Sequence, residues 1–184
     1  MKGKYGRQNP GNIKLIKLLR SFVELSSIFN NITSPGRPHV YYRVPNTHTT
    51  LRLAIKDDPI TPYNLCRTIT YTQEELRAYI DANDATDKAL AVADDPYQSS
   101  RRWTGCMFGV ATVPEDAHHL TYGIVQDVLQ GLFLYLFRGR IYKETIFQVF
   151  NDRFGIQRAV GIGKLTPGYL GLSWNGGSST ESEA

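Results

Sequence analysis

A chain of 184 residues with 41% apolar and 21% charged residues has the composition of a globular protein and the length for one domain with a proper core. No apolar run approaches the ~20 residues needed to span a bilayer. The net charge of +4 permits an anionic partner without arguing for one. Two cysteines, Cys66 and Cys106, are too few for a zinc site; they admit one disulfide or two buried thiols. A bridge would close a loop of about 40 residues, worth roughly 4 kcal/mol in the chain-entropy model.

Residues 1–34 read as a basic amphipathic lead. Up to Val23 they hold Lys2, Lys4, Arg7, Lys14, Lys17 and Arg20 and no acid. From Ile13 to Phe29, Leu15, Leu19, Phe22, Val23 and Ile28 share one helical face. A surface helix, a mitochondrial presequence and a membrane-surface helix all fit this pattern. A secretory signal does not, because Lys17, Arg20 and Glu24 interrupt the apolar stretch it needs. The compartment therefore stays open: outside the cell if a signal has been removed, otherwise mitochondrial or cytoplasmic. Asn31-Ile32-Thr33 matches the N-glycosylation acceptor pattern, which matters only in a secreted protein.

Ser34-Pro35-Gly36-Arg37-Pro38 breaks the chain, and a single domain is expected over residues 35–170. Val40–Val44 and Thr49–Ile55 read as two strands of a hairpin, turned at Pro45-Asn46 and ended by Lys56-Asp57-Asp58-Pro59. Thr61-Pro62 opens a helix, with Thr as cap and Pro in the first turn. Thr72 and Glu75 form a capping-box pattern that predicts a fresh helix start there. Asp81–Asp95 reads as a frayed helix end and loop. Trp103–Val113 returns to a strand, and Pro114–His119 links it to the best-patterned stretch of the chain.

That stretch runs from Leu120 to Leu165. Thr121 caps a helix whose apolar residues Ile124, Val125, Val128, Leu129, Leu132, Tyr135 and Leu136 recur at steps of three and four. Gln126, Asp127 and Gln130 fall off the stripe. Gly131 predicts close approach of another backbone, at a cost of up to about 1 kcal/mol relative to Ala. Gly139, between Arg138 and Arg140, is expected to end the helix in the left-handed conformation. Ile146–Phe150 is a strand, Asn151-Asp152-Arg153 a turn, and Phe154–Leu165 a Gly-studded strand. The fold class is α+β: two helical segments on one face of a mainly antiparallel sheet of four or five strands. Residues 171–184 read as a disordered, Gly/Ser-rich acidic tail.

No nucleophile stands in a recognisable frame, and no cofactor motif is present. Residues 155–164 are Gly-rich and end in Lys164, but the spacing is wrong for a phosphate loop and no helix follows. His118 and His119, beside Glu115 and Asp116, are the most site-like cluster for a metal or acid–base chemistry. Neighbours on an extended chain point to opposite sides, however, which favours a solvated loop. Arg138, Arg140, Lys143, Arg153, Arg158 and Lys164, with Tyr142, Phe150 and Phe154, make a candidate nucleic-acid surface of cations and aromatics.

Leu120-Thr121-Tyr122-Gly123, then Asp127, Gly131-Leu132, Arg140, Phe147-Gln148-Val149, Asp152, Gly155 and Gly161-Ile162-Gly163, resemble the closing third of a diverse set of small fungal proteins. Many of that set look secreted and effector-like. The resemblance covers about a quarter of the chain. It implies a structural motif and carries over no catalytic residue. The expected function is thus non-enzymatic binding of an unknown protein partner through the sheet face or the loops. The alternatives are a nucleic-acid-binding module using residues 138–164 and an unrecognised enzyme or metal site at His118 and His119.

Overall fold

The computed structural model of the chain describes residues 39–99, 105–113, 119–154 and 158–168. The expectations for the lead 1–34, for the tail 171–184, and for Glu115, Asp116 and His118 lie outside the described residues.

Among the described residues six strands form one sheet: β1 (Val40–Arg43), β2 (Thr49–Pro59), β3 (Tyr97–Gln98), β4 (Cys106–Thr112), β5 (Lys143–Asn151) and β6 (Gly161–Pro167). Their spatial order is β1-β2-β5-β6-β4-β3, and every neighbouring pair is antiparallel. Helix α1 (Pro62–Asn83) lies in the chain between β2 and β3, and α2 (Tyr122–Leu132) between β4 and β5. The α+β class is as the pattern predicts, with one strand more. That strand, β3, is a two-residue edge against Gly109 and Val110, too short to leave a periodic signal.

Strand alternation builds the core. Leu51 pairs with Val149 and Leu53 with Phe147, and all four are fully buried. Phe108 stacks nearly parallel to Phe147, with ring centroids 6.2 Å apart. Against this face pack Leu65, Ile69, Leu76 and Ile80 of α1 and Ile124, Val125, Val128, Leu129 and Leu132 of α2, in one cluster. The opposite face carries Arg52, Gln148 and Lys164, with Arg52 donating to Gln148 at 3.5 Å.

Local chemistry explains most element ends. Thr61 accepts from the Asn64 N–H at 3.2 Å and caps α1, with Pro62 in its first turn. Asp84, at φ 47°, closes that helix in the left-handed region. The helix does not restart at Thr72. Thr72 is buried, and its hydroxyl turns inward to donate to the Thr68 carbonyl at 2.6 Å, a back-bond that satisfies it inside a continuous helix. Strand β2 runs on to Pro59 through an irregularity after Ile55, beyond the end that its acidic residues predict. Strand β6 begins only at Gly161, not at Phe154. Asp152–Phe154 is a 3-10 turn.

Two glycines act differently from expectation. A Cβ on Gly131 would stand 2.6 Å from Val44 Cγ2 and 2.8 Å from Leu51 Cδ1. Side chains of the sheet, not a backbone, fill the space its missing side chain leaves. At the end of α2 the chain passes into a π turn, Phe133–Phe137, closed by the Arg138 N–H on the Phe133 carbonyl. Arg140, at φ 58°, takes the left-handed conformation. Gly139 is needed for another reason: a Cβ there would meet the Tyr135 carbonyl oxygen at 2.2 Å.

The disulfide admitted by the even cysteine count is not formed; Cys66 and Cys106 are free thiols. The reason is helical phase. Leu65, Thr68, Ile69 and Thr72 are the buried face of α1, and Thr68 donates to the Cys106 carbonyl at 3.1 Å. Cys66 lies two residues from Thr68, about 200° around the helix, which turns it away from β4.

Candidate functional site

The sequence-predicted basic residues do not form one surface. Arg138 and Arg140 are exposed after the π turn, and Lys143 opens β5 nearby, 3.6 Å from Asp57. Arg153 follows the other end of that strand, nine residues long, or ~30 Å at ~3.4 Å per residue. It lies 3.8 Å from Asp87. Arg158 is exposed beyond it. Lys164 is half-buried on the sheet face opposite the helices. Of the paired histidines, His119 is described and exposed. No group of three metal-ligating side chains occurs among the described residues.

What the fold does gather is a polar cluster at the end of the sheet where β1 turns into β2 and β5 ends. The register places Thr49 opposite Asn151, and both are buried although polar. Burying them is tolerable only because they are hydrogen-bonded. Asn151 Nδ2 donates to Thr49 Oγ1 at 3.4 Å, and Thr49 Oγ1 donates to Asp127 Oδ2 at 2.8 Å. The relay runs from β5 through β2 to α2. Burial raises the Asp127 carboxyl above its ordinary range, against the Thr49 hydrogen bond and the nearby charges of Arg153 and His48.

Beside it stands an ion cluster. His48 Nδ1 donates to Asp152 Oδ1 at 2.6 Å, and Arg43 reaches Asp152 Oδ2 at 2.7 Å. Burial alone would raise the Asp152 carboxyl. The hydrogen bonds and charges of Arg43 and His48 outweigh it and hold the carboxyl below its ordinary value. The Asp152 N–H also donates to the His48 carbonyl at 3.0 Å, so backbone and side chain fix the turn together.

Of these residues His48, Asp127 and Asn151 help wall a cavity of about 360 Å³, near the lower end of the usual ligand-pocket range. Four segments supply the wall: Asn46–His48, Thr86–Asp87, the start of α2 as far as Asp127, and Asn151 with Arg153. The start of α2 is tied down. Thr121 accepts from the Ile124 N–H at 3.2 Å, Tyr122 N–H donates to the Lys88 carbonyl, and Gly123 N–H to the Thr86 carbonyl. The amides that would make a helix N-terminus an anion receptor are already used. Asp127 Oδ1 has no hydrogen-bond partner among the described residues.

Nothing in the linear pattern singles out His48, Thr49 or Asn151. The available signals were Asp127 and Gln126 lying off the apolar stripe of α2 and the turn at Asn151–Arg153. In comparisons with known proteins, no family model, no curated protein and no solved structure matches the chain.

Proposed function

We propose that this protein is a non-enzymatic binding module that recognises its partner at the loop end of the sheet. The observation that carries this reading is Asp127. Its carboxylate is half-buried, is held through one oxygen by Thr49, and borders a polar cavity built from four segments. A carboxylate kept partly from water at an energetic cost, with one oxygen left for an incoming donor, is an arrangement suited to recognition. The resemblance to effector-like proteins, whose shared motif includes Asp127 and Asp152, supports the same reading.

The test is thermal unfolding of the full chain, wild type and Asp127→Asn, with millimolar sugars, polyols, amino acids and amides. A ligand at ten times its Kd contributes about 1.4 kcal/mol, or a rise of roughly 3–6 °C at this chain length. We expect such a rise in the wild type and its loss in the variant. A panel that leaves the wild type unmoved sinks the proposal.

A further inference from the structure

A second depression adjoins the cavity. A groove of about 460 Å³ lies between the helices, walled by Thr70, Gln73, Glu74 and Arg77 of α1 and by Gln126 and Gln130 of α2. Gln126 belongs to the wall of both. Gln126 and Gln130 are one helical turn apart and share a face. A ligand held at Asp127 and extending past Gln126 therefore enters the groove along a row of amides.

The chemistry of the combined wall selects against most ligand classes. Anions lack a receptor: His48 and Arg43 are engaged by Asp152, Arg153 faces Asp87, and the first amides of α2 are bonded within the chain. Cations find no excess of acid: of the lining carboxylates Asp87 faces Arg153, and Asp127 feels the charges of Arg153 and His48. Apolar groups find Ile124 as the one large apolar side chain of the cavity and none in the groove. Glu74 and Arg77 add one charge of each sign. What remains is a wall of amides and a hydroxyl, from Asn46, Thr86, Gln126, Gln130 and Gln73, the Asn151 amide being engaged by Thr49 and the Arg153 N–H. An amide side chain offers donors and an acceptor together, and a hydroxyl both donates and accepts. The matching ligand is neutral and presents hydroxyls that do the same at every position.

We infer that the cavity and the groove bind a linear neutral oligosaccharide, one end on Asp127 and the body along Gln126 and Gln130. This rests on the binding reading above and names its ligand class.

The experiment is isothermal titration of the full chain with cellotetraose, maltotetraose and chitotetraose, with their disaccharides, and with tetraglycine. One tetraose is expected to bind more tightly than its disaccharide. Asp127→Asn should weaken both at least tenfold. Gln130→Ala with Gln73→Ala, both in the wall of the groove and not of the cavity, should weaken the tetraose about tenfold and leave the disaccharide unchanged. Binding of none of the sugars, or tighter binding of tetraglycine, overturns the inference. If a ligand of another class is then lost on Asp127→Asn, the binding reading stands and only its ligand class falls. Tetraose binding that Asp127→Asn leaves unchanged overturns both.

Discussion

Thr49 and Asp127, 78 positions apart in the chain, are joined by a hydrogen bond of 2.8 Å from the Thr49 hydroxyl to the carboxylate. The bond ties the first residue of β2 to the second turn of α2. Thr49→Val keeps the shape and removes the donor. It leaves a half-buried carboxylate short of a partner and strands the Asn151 amide as well. The expected loss is about 1–3 kcal/mol, read by urea unfolding, with Thr49→Ser retaining most of the stability. Equal losses in both variants would assign the effect to packing.

The two carboxylates of the cluster give opposite pH dependences. Asp127 has a raised folded-state value. Between the ordinary value of ~3.9 and that raised value, the folded protein holds a proton the unfolded chain has released. Stability therefore falls as pH rises through this window. Asp152 has a lowered folded-state value. Its contribution is present above the ordinary carboxylate value and is lost as pH falls through the folded one. Urea unfolding over a pH series, with Asp127→Asn and Asp152→Asn each compared with wild type, should remove one slope apiece. Identical pH profiles for all three proteins would contradict this assignment.

Gly163 lies opposite Phe147 in the β5–β6 register. A Cβ there would stand 2.4 Å from Phe147 Cζ and 2.5 Å from the Gly109 carbonyl oxygen. The ring can tilt, but the carbonyl belongs to the neighbouring strand. Gly163→Ala should destabilise by about 1–3 kcal/mol through overpacking. That corresponds to a midpoint several degrees lower, at ~2–4 °C per kcal/mol. A midpoint equal to wild type would show that the strands separate there at little cost.

The two thiols should differ in reactivity. Burial pushes the Cys106 thiol up to about 12, and the side chain is fully covered. Cys66 is half-buried. Iodoacetamide should label Cys66 alone in the native protein and both residues after denaturation without reductant, counted by intact mass. A denatured chain that takes no label would mean that the two are bridged after all.

Much of the frame was legible in the chain. The caps at Thr61 and Thr121, the hairpin turn at Pro45-Asn46 and the stripe of α2 are local, and short-range sterics and hydrogen bonding decide them. What failed were signals that tertiary contacts override. Thr72 has the sequence of a cap, but its hydroxyl is buried and back-bonds within a continuous helix. Gly139 has the sequence of a left-handed stop, but Arg140 takes that conformation.

By itself, the sequence determined the α+β class, most strands, the start of each described helix and the apolar faces, because periodicities of two and 3.6 are properties of neighbouring residues. Only the tertiary structure decided the strand order, the separation of the basic residues to opposite ends of β5, and the cluster of Thr49, Asp127 and Asn151 beside His48 and Asp152. Those last residues come from three elements and the turns beside them. No local pattern records their meeting, because antiparallel register and the crossing of α2 over the sheet bring them together only once the chain has folded.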